Sequence, residues 1–141
     1  MRILGRTALV LLFVSLALTP ALAGGGKNLE ATPQVKAYRA LLKTVAAADY
    51  EGYKKTMTAE SAKGIDAQTK EMGMEPKKVM LFLKTMSPTD VKFTDLKVAG
   101  KKATLSATGK SGGEMNYGSI EMAEENGQWK TIKQSWSNKK S

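Results

Sequence analysis

The hydrophobic pattern changes period once, at Ser87-Pro88, and that change constrains the fold more than any other feature of the chain. Before it, apolar residues recur at spacings of three and four, the period of a helix; after it they alternate, the period of a strand. Helices followed by strands with short connections imply an α+β domain, with N-terminal helices packed on a four-stranded antiparallel meander.

Thr32-Pro33 marks the first helix, since threonine caps free amides and proline fits the first helical position. Val35, Tyr38, Leu41, Leu42 and Val45 form its apolar stripe, and the helix is expected to end near Ala48. Asp49 caps a second, short helix with Tyr50, Tyr53 and Met57 on one side. Thr58 or Ser61 starts a third, with Ala62, Ile65, Thr69 and Met72 turned inward and Gly73 closing it. Pro76 opens a fourth. Its apolar run over residues 79–83 fits a helix buried on more than one side or a strand, and Pro76 and the span to Met86 favour the helix.

Strands are expected over residues 90–98, 102–110, 115–124 and 128–137, with turns at Gly100-Lys101, Ser111-Gly112-Gly113 and Asn126-Gly127. Asn126-Gly127 supplies the positive backbone angles of a two-residue hairpin. Trp129 and Trp136, the only tryptophans, lie beyond it and are expected to anchor the core. Apolar parity slips within three strands, which predicts bulges near Thr94-Asp95, Gly118-Ser119 and Lys130-Thr131 and hence a strongly curved sheet.

The N-terminus carries Arg2 and Arg6, apolar residues over 8–18 interrupted only by Ser15, and Ala21-Leu22-Ala23. This is the pattern of a secretory signal peptide over residues 1–23, cleaved after Ala23. The run is short of the ~20 residues that cross a bilayer. Without cysteine there is no lipid attachment site, so an exported protein, periplasmic or extracellular and not membrane-spanning, is expected. Cleavage leaves 118 residues: a flexible leader over 24–31, one domain over 32–137 and a basic tail over 138–141. No disulfide supports the fold.

Absence of both His and Cys removes the common nucleophile–base pairs and the ordinary zinc ligands. Glu121, Glu124 and Glu125, with Glu114 nearby, flank a hairpin and are expected to be solvated. Met72-Gly73-Met74 offers soft thioethers to a copper(I) ion, against which stands the use of Met80, Met86, Met115 and Met122 as core packers. Packing is the preferred reading, and no metal or cofactor is expected. The formal charge of +9 is carried mainly by lysine, with doublets at Lys54-Lys55, Lys77-Lys78, Lys101-Lys102 and Lys139-Lys140. Lysines make point contacts rather than bidentate ones, and no glycine loop precedes a helix to cradle phosphate. No specific nucleic-acid partner is expected; an anionic surface remains open.

The stretches AYRALLKTVAAADYEGYKKTM, DVKFTDLKVAGKKATLSA and ENGQWKTIKQSW, in that order, resemble the nuclear-transport-factor-two-like, cystatin-like superfamily of α+β cone folds, and most of all its small secreted bacterial domains of unassigned function. The resemblance covers residues 31–136. It implies a non-enzymatic binding or dimerisation module, or an isomerase or lyase working inside the cone. The Asp/His dyad of the superfamily's enzymes is absent, and Asp95 and Tyr117 are the pair to test for the Asp/Tyr alternative. Tyr38, Phe93, Tyr117, Trp129 and Trp136 are candidates to line a cone for a small apolar ligand, or else to fill it. Pairing with a second copy through the outer sheet face is the other expectation for a partner.

Overall fold

The computed structural model describes residues 28–140. The leader expected over 24–31 gives way at Leu29–Ala31 to a 3-10 turn. Four helices follow: α1 (Pro33–Ala46), α2 (Tyr50–Thr56), α3 (Ala59–Glu71) and α4 (Pro76–Met86). Thr32, Asp49 and Thr58 each cap the helix after them, accepting from the amides of Val35, Gly52 and Ser61. α1 stops two residues before the expected Ala48, because Ala48 takes a left-handed conformation with φ 52° and turns the chain into α2.

The strands are β1 (Thr89–Ala99), β2 (Lys102–Ser111), β3 (Glu114–Glu125) and β4 (Gln128–Ser137), paired antiparallel in the order β1-β2-β3-β4. The sheet is curved and unclosed. Asn126 and Gly127, with φ 51° and 76°, form the two-residue turn between β3 and β4. Ladder irregularities fall in β1 between Thr89 and Lys92 and between Phe93 and Asp95, and in β4 between Thr131 and Lys133; the second coincides with the bulge expected near Thr94-Asp95 and the third lies close to the one expected near Lys130-Thr131.

The bulge expected at Gly118-Ser119 does not form. β3 pairs with β2 without interruption from Lys102↔Ala123 to Ser111↔Glu114. β3 is a central strand, and a bulge there would disturb two ladders, whereas β1 and β4 each belong to one ladder, with only the Met57 bridge to Thr131 on the outer side of β4. Met115 and Tyr117 therefore point away from the helices.

The centre of the core is Val35, Tyr38 and Leu41 of α1, Met80 of α4, and Leu105, Ile120 and Met122 of the sheet, each at most 1% exposed. Trp129 and Trp136 are only half-buried at its margin, so the tryptophans do not anchor it. α1 delivers Tyr38 to the place the tryptophans were expected to take. Of the methionines, Met80 and Met122 pack inside, but Met72, Met86 and Met115 are exposed. α4 buries Met80 and partly covers Val79 and Leu83, while Leu81 and Phe82 face outward; it is covered on one side, not on several.

Arg39, to which the lysine-dominated charge pattern assigned no role, ties the first elements together. Its guanidinium donates to Glu30 at 2.5 and 3.1 Å and to the Val91 carbonyl at 2.9 Å, and lies 4.8 Å from the Phe93 ring centroid. This places the 3-10 turn against β1.

A second polar knot joins α2 to α3. The Tyr50 hydroxyl donates to Asp66 at 2.8 Å, and Lys54 lies 3.1 Å from both Asp66 and Glu51. The hydrogen bond from Tyr50, then that from Lys54, holds the Asp66 carboxyl below its ordinary value. Its depressed folded value means a stabilising contribution that is present at neutral pH and disappears as pH falls through that value. The stability difference between the wild type and Asp66→Asn should therefore shrink on acidification, as denaturant titrations at neutral and acidic pH would show. A difference independent of pH would exclude a charge-linked role for Asp66.

Candidate functional site

Alternation along β2 separates two faces. Ala103, Leu105 and Ala107 are buried against the helices, while Thr104, Ser106 and Thr108 stand on the other side, partly exposed. Register carries this separation across the sheet. Asp95 lies opposite Ser106, Ser106 opposite Ser119, and Ser119 opposite Ser135. One polar row thus crosses all four strands on the helix-free face. The adjoining row is Lys92, Thr108, Tyr117 and Ser137. With strands ~4.8 Å apart, the three serines of the first row span roughly 10 Å.

A groove of about 560 Å³ runs over these rows, and Lys139 and Lys140 of the C-terminal tail border it. Asp95 and Tyr117 both line it. The two residues singled out as a possible Asp/Tyr pair are thus brought into one groove, but on the outer face of the sheet and not inside a cone. Ser106, Ser119 and Ser135 were not recognised as a group from sequence, since only the register joins them.

The proposed cone-lining aromatics divide into three places. Tyr38, Phe93 and Trp136 come together between α1 and the sheet: the Tyr38 and Phe93 rings meet edge to face at 5.9 Å, and the Gln134 side-chain oxygen accepts from Tyr38 at 2.5 Å and from Trp136 at 3.2 Å. They fill that space. Burial pushes the Tyr38 and Tyr53 phenols above their ordinary value, which keeps both as neutral hydrogen-bond donors. Tyr117 is on the opposite face. Trp129 is at the far end of β4, beside a separate groove of about 340 Å³ shared with Pro33, Ala37 and Lys55.

Met72 is exposed at the end of α3, not on its inward stripe, and Met74 is half-buried. Glu125 is not simply solvated, since its carboxylate accepts from the Ala59 amide at 3.0 Å at the start of α3. Among the described residues, no group of three or more acidic side chains is placed to hold a metal ion, and no helix is long and apolar enough to cross a membrane.

No known protein family matches the chain, and no curated protein matches it. Among solved structures it is similar to a de novo designed protein with a curved β-sheet, at 13% identity and a TM-score of 0.46, over 72% of this chain and 92% of that one. It is also similar to a SEC-C motif containing protein from Rhodopseudomonas palustris, at 13% identity and a TM-score of 0.46, over 79% of this chain and 94% of the other. The described chain is an α+β domain with four helices and a curved, unclosed, four-stranded antiparallel sheet.

Proposed function

We propose that the chain is an exported, non-enzymatic binding module of the cone-like α+β type, and that it takes a polar ligand on the helix-free face of its sheet. The observation that carries this reading is the hydroxyl row Ser106, Ser119 and Ser135, in register beside Asp95 and Tyr117 in one groove. Hydroxyls that both donate and accept, next to an aromatic ring, suit a ligand rich in hydroxyl groups, such as a short glycan segment. Lys139 and Lys140 at the border favour one that also carries negative charge. A small apolar ligand is a poorer fit, because Tyr38, Phe93 and Trp136 occupy the space between α1 and the sheet.

Amide-resolved NMR titration with neutral and acidic oligosaccharides tests the proposal. Saturable shifts are expected at Ser106, Ser119 and Ser135, with binding at least tenfold weaker in Tyr117→Ala, roughly the loss of 1.4 kcal/mol. Shifts confined to the helices, or none, would overturn it.

The meeting of Asp95 and Tyr117 in one groove favours one second reading, a small-molecule isomerase or lyase in which these residues move protons. A cognate reaction that survived both Asp95→Asn and Tyr117→Phe would remove it.

A further inference from the structure

The largest exposed apolar side chains of the described residues are Met72, Leu81, Phe82, Met86 and Met115, and three of the five lie on α4. Lys78, Phe82 and Met86 follow one another at four-residue steps and form one ridge. Lys77, Leu81 and Thr85 form the ridge beside it. Each ridge is basic at its N-terminal end; the first is then apolar, with Phe82 59% and Met86 62% exposed, and the second carries Leu81 followed by Thr85. Lys84 adds a third positive charge, and α4 contains no acidic residue. The opposite side of the helix is occupied, since Met80 is fully buried and Val79 and Leu83 pack on the core. The connection from Met86 leads to Thr89, which pairs with Lys110, which in turn pairs with Met115. A further exposed methionine is thereby placed at the same end of the domain, together with Lys110, whose ammonium lies 4.0 Å from the Asp90 carboxylate.

We propose that α4 docks the domain onto an anionic lipid bilayer, with Leu81, Phe82 and Met86 entering the headgroup–acyl boundary while Lys77, Lys78 and Lys84 contact acidic headgroups. Apolar burial and attraction to negative lipid act together in such helices. Charge selects this occupant over a second copy of the chain. A symmetric contact between two α4 helices would bring six lysines together against only the two N-cap carboxylates of Glu75. The proposal is independent of the groove on the sheet.

The test is co-sedimentation of residues 24–141 with vesicles of phosphatidylglycerol and phosphatidylcholine, compared with phosphatidylcholine alone. This form retains the whole core cluster, which lies between Leu29 and Trp136. Binding is expected only to the anionic vesicles and should weaken as salt rises. The double variant Phe82→Ser/Met86→Ser should bind at least tenfold more weakly. Lys77→Gln/Lys78→Gln/Lys84→Gln should bind about a hundredfold more weakly. All the substituted side chains are exposed, so the far-ultraviolet circular dichroism should not change. Equal affinity for both vesicle types, or binding unaltered in both variants, would overturn the proposal. So would a dimer abolished by Phe82→Ser in a protein that ignores vesicles, which would assign α4 to a second copy. Vesicle binding seen only with the full 141-residue chain would assign attachment to residues 1–23 instead.

Discussion

Tyr38→Ala should lower the free energy of unfolding by about 3–5 kcal/mol, the range for truncating a fully buried aromatic side chain. Tyr38 is 0% exposed and meets α1's neighbours from three directions: the Phe93 ring at 5.9 Å, Gln134 through its hydroxyl, and the surrounding aliphatic core. Removing the ring leaves a cavity beneath α1 and deprives the Gln134 oxygen of one donor, although Trp136 still reaches it. Tyr38→Phe should cost only about 1 kcal/mol, because it keeps the packing and removes one hydrogen bond. Urea unfolding of the three proteins would measure both steps. Near-equal losses in the two variants would mean that the hydroxyl, and not the ring, is the dominant contribution.

Gly118→Ala should destabilise by about 2–3 kcal/mol, the upper part of the range for forcing volume into a filled site. Gly118 lies opposite Trp136 across β3 and β4, and the indole lies over the glycine so closely that an added Cβ would fall 2.7 Å from its ring carbons. The same contact predicts strong non-additivity. In Gly118→Ala/Trp136→Leu the ring that the methyl would strike is gone, so the double variant should lose clearly less than the two single losses summed. Strict additivity in thermal or urea unfolding would show that the indole does not cover Gly118. The residue has no positive φ, so the requirement for glycine is one of space, not of backbone conformation.

Local signals were legible in the chain. The caps Thr32, Asp49 and Thr58, the prolines that open α1 and α4, and the Asn126-Gly127 turn each depend on residues within a few positions of one another, and each is found where those residues place it. What failed depends on neighbours distant in sequence. The parity slip in β3 suggested a bulge because Met115 and Tyr117 were assumed to be buried; they are outward residues on a regular central strand. The apolar run in α4 counted as core for the same reason, yet a run of this kind does not say whether a second layer exists to cover it. The groove was half legible. Asp95 and Tyr117 were identifiable as chemistry, and Ser106 has the parity opposite to Ala103, Leu105 and Ala107, but its meeting with Ser119 and Ser135 is a property of register alone.

Because the meander does not close, β1 and β4 are its border strands among the described residues, and on the outer side of β4 only Met57 bridges, at Thr131. Such borders are templates on which a foreign strand can grow. On β1 the Arg39 guanidinium already occupies the Val91 carbonyl, Glu30 holds that guanidinium in place, and Lys92 and Lys97 are exposed along the same strand. The Arg39–Glu30 ion pair that fastens the 3-10 turn Leu29–Ala31 against β1 thus also takes up a carbonyl that an incoming strand would use, so Arg39→Ala should raise aggregation, read by light scattering, as well as lower stability.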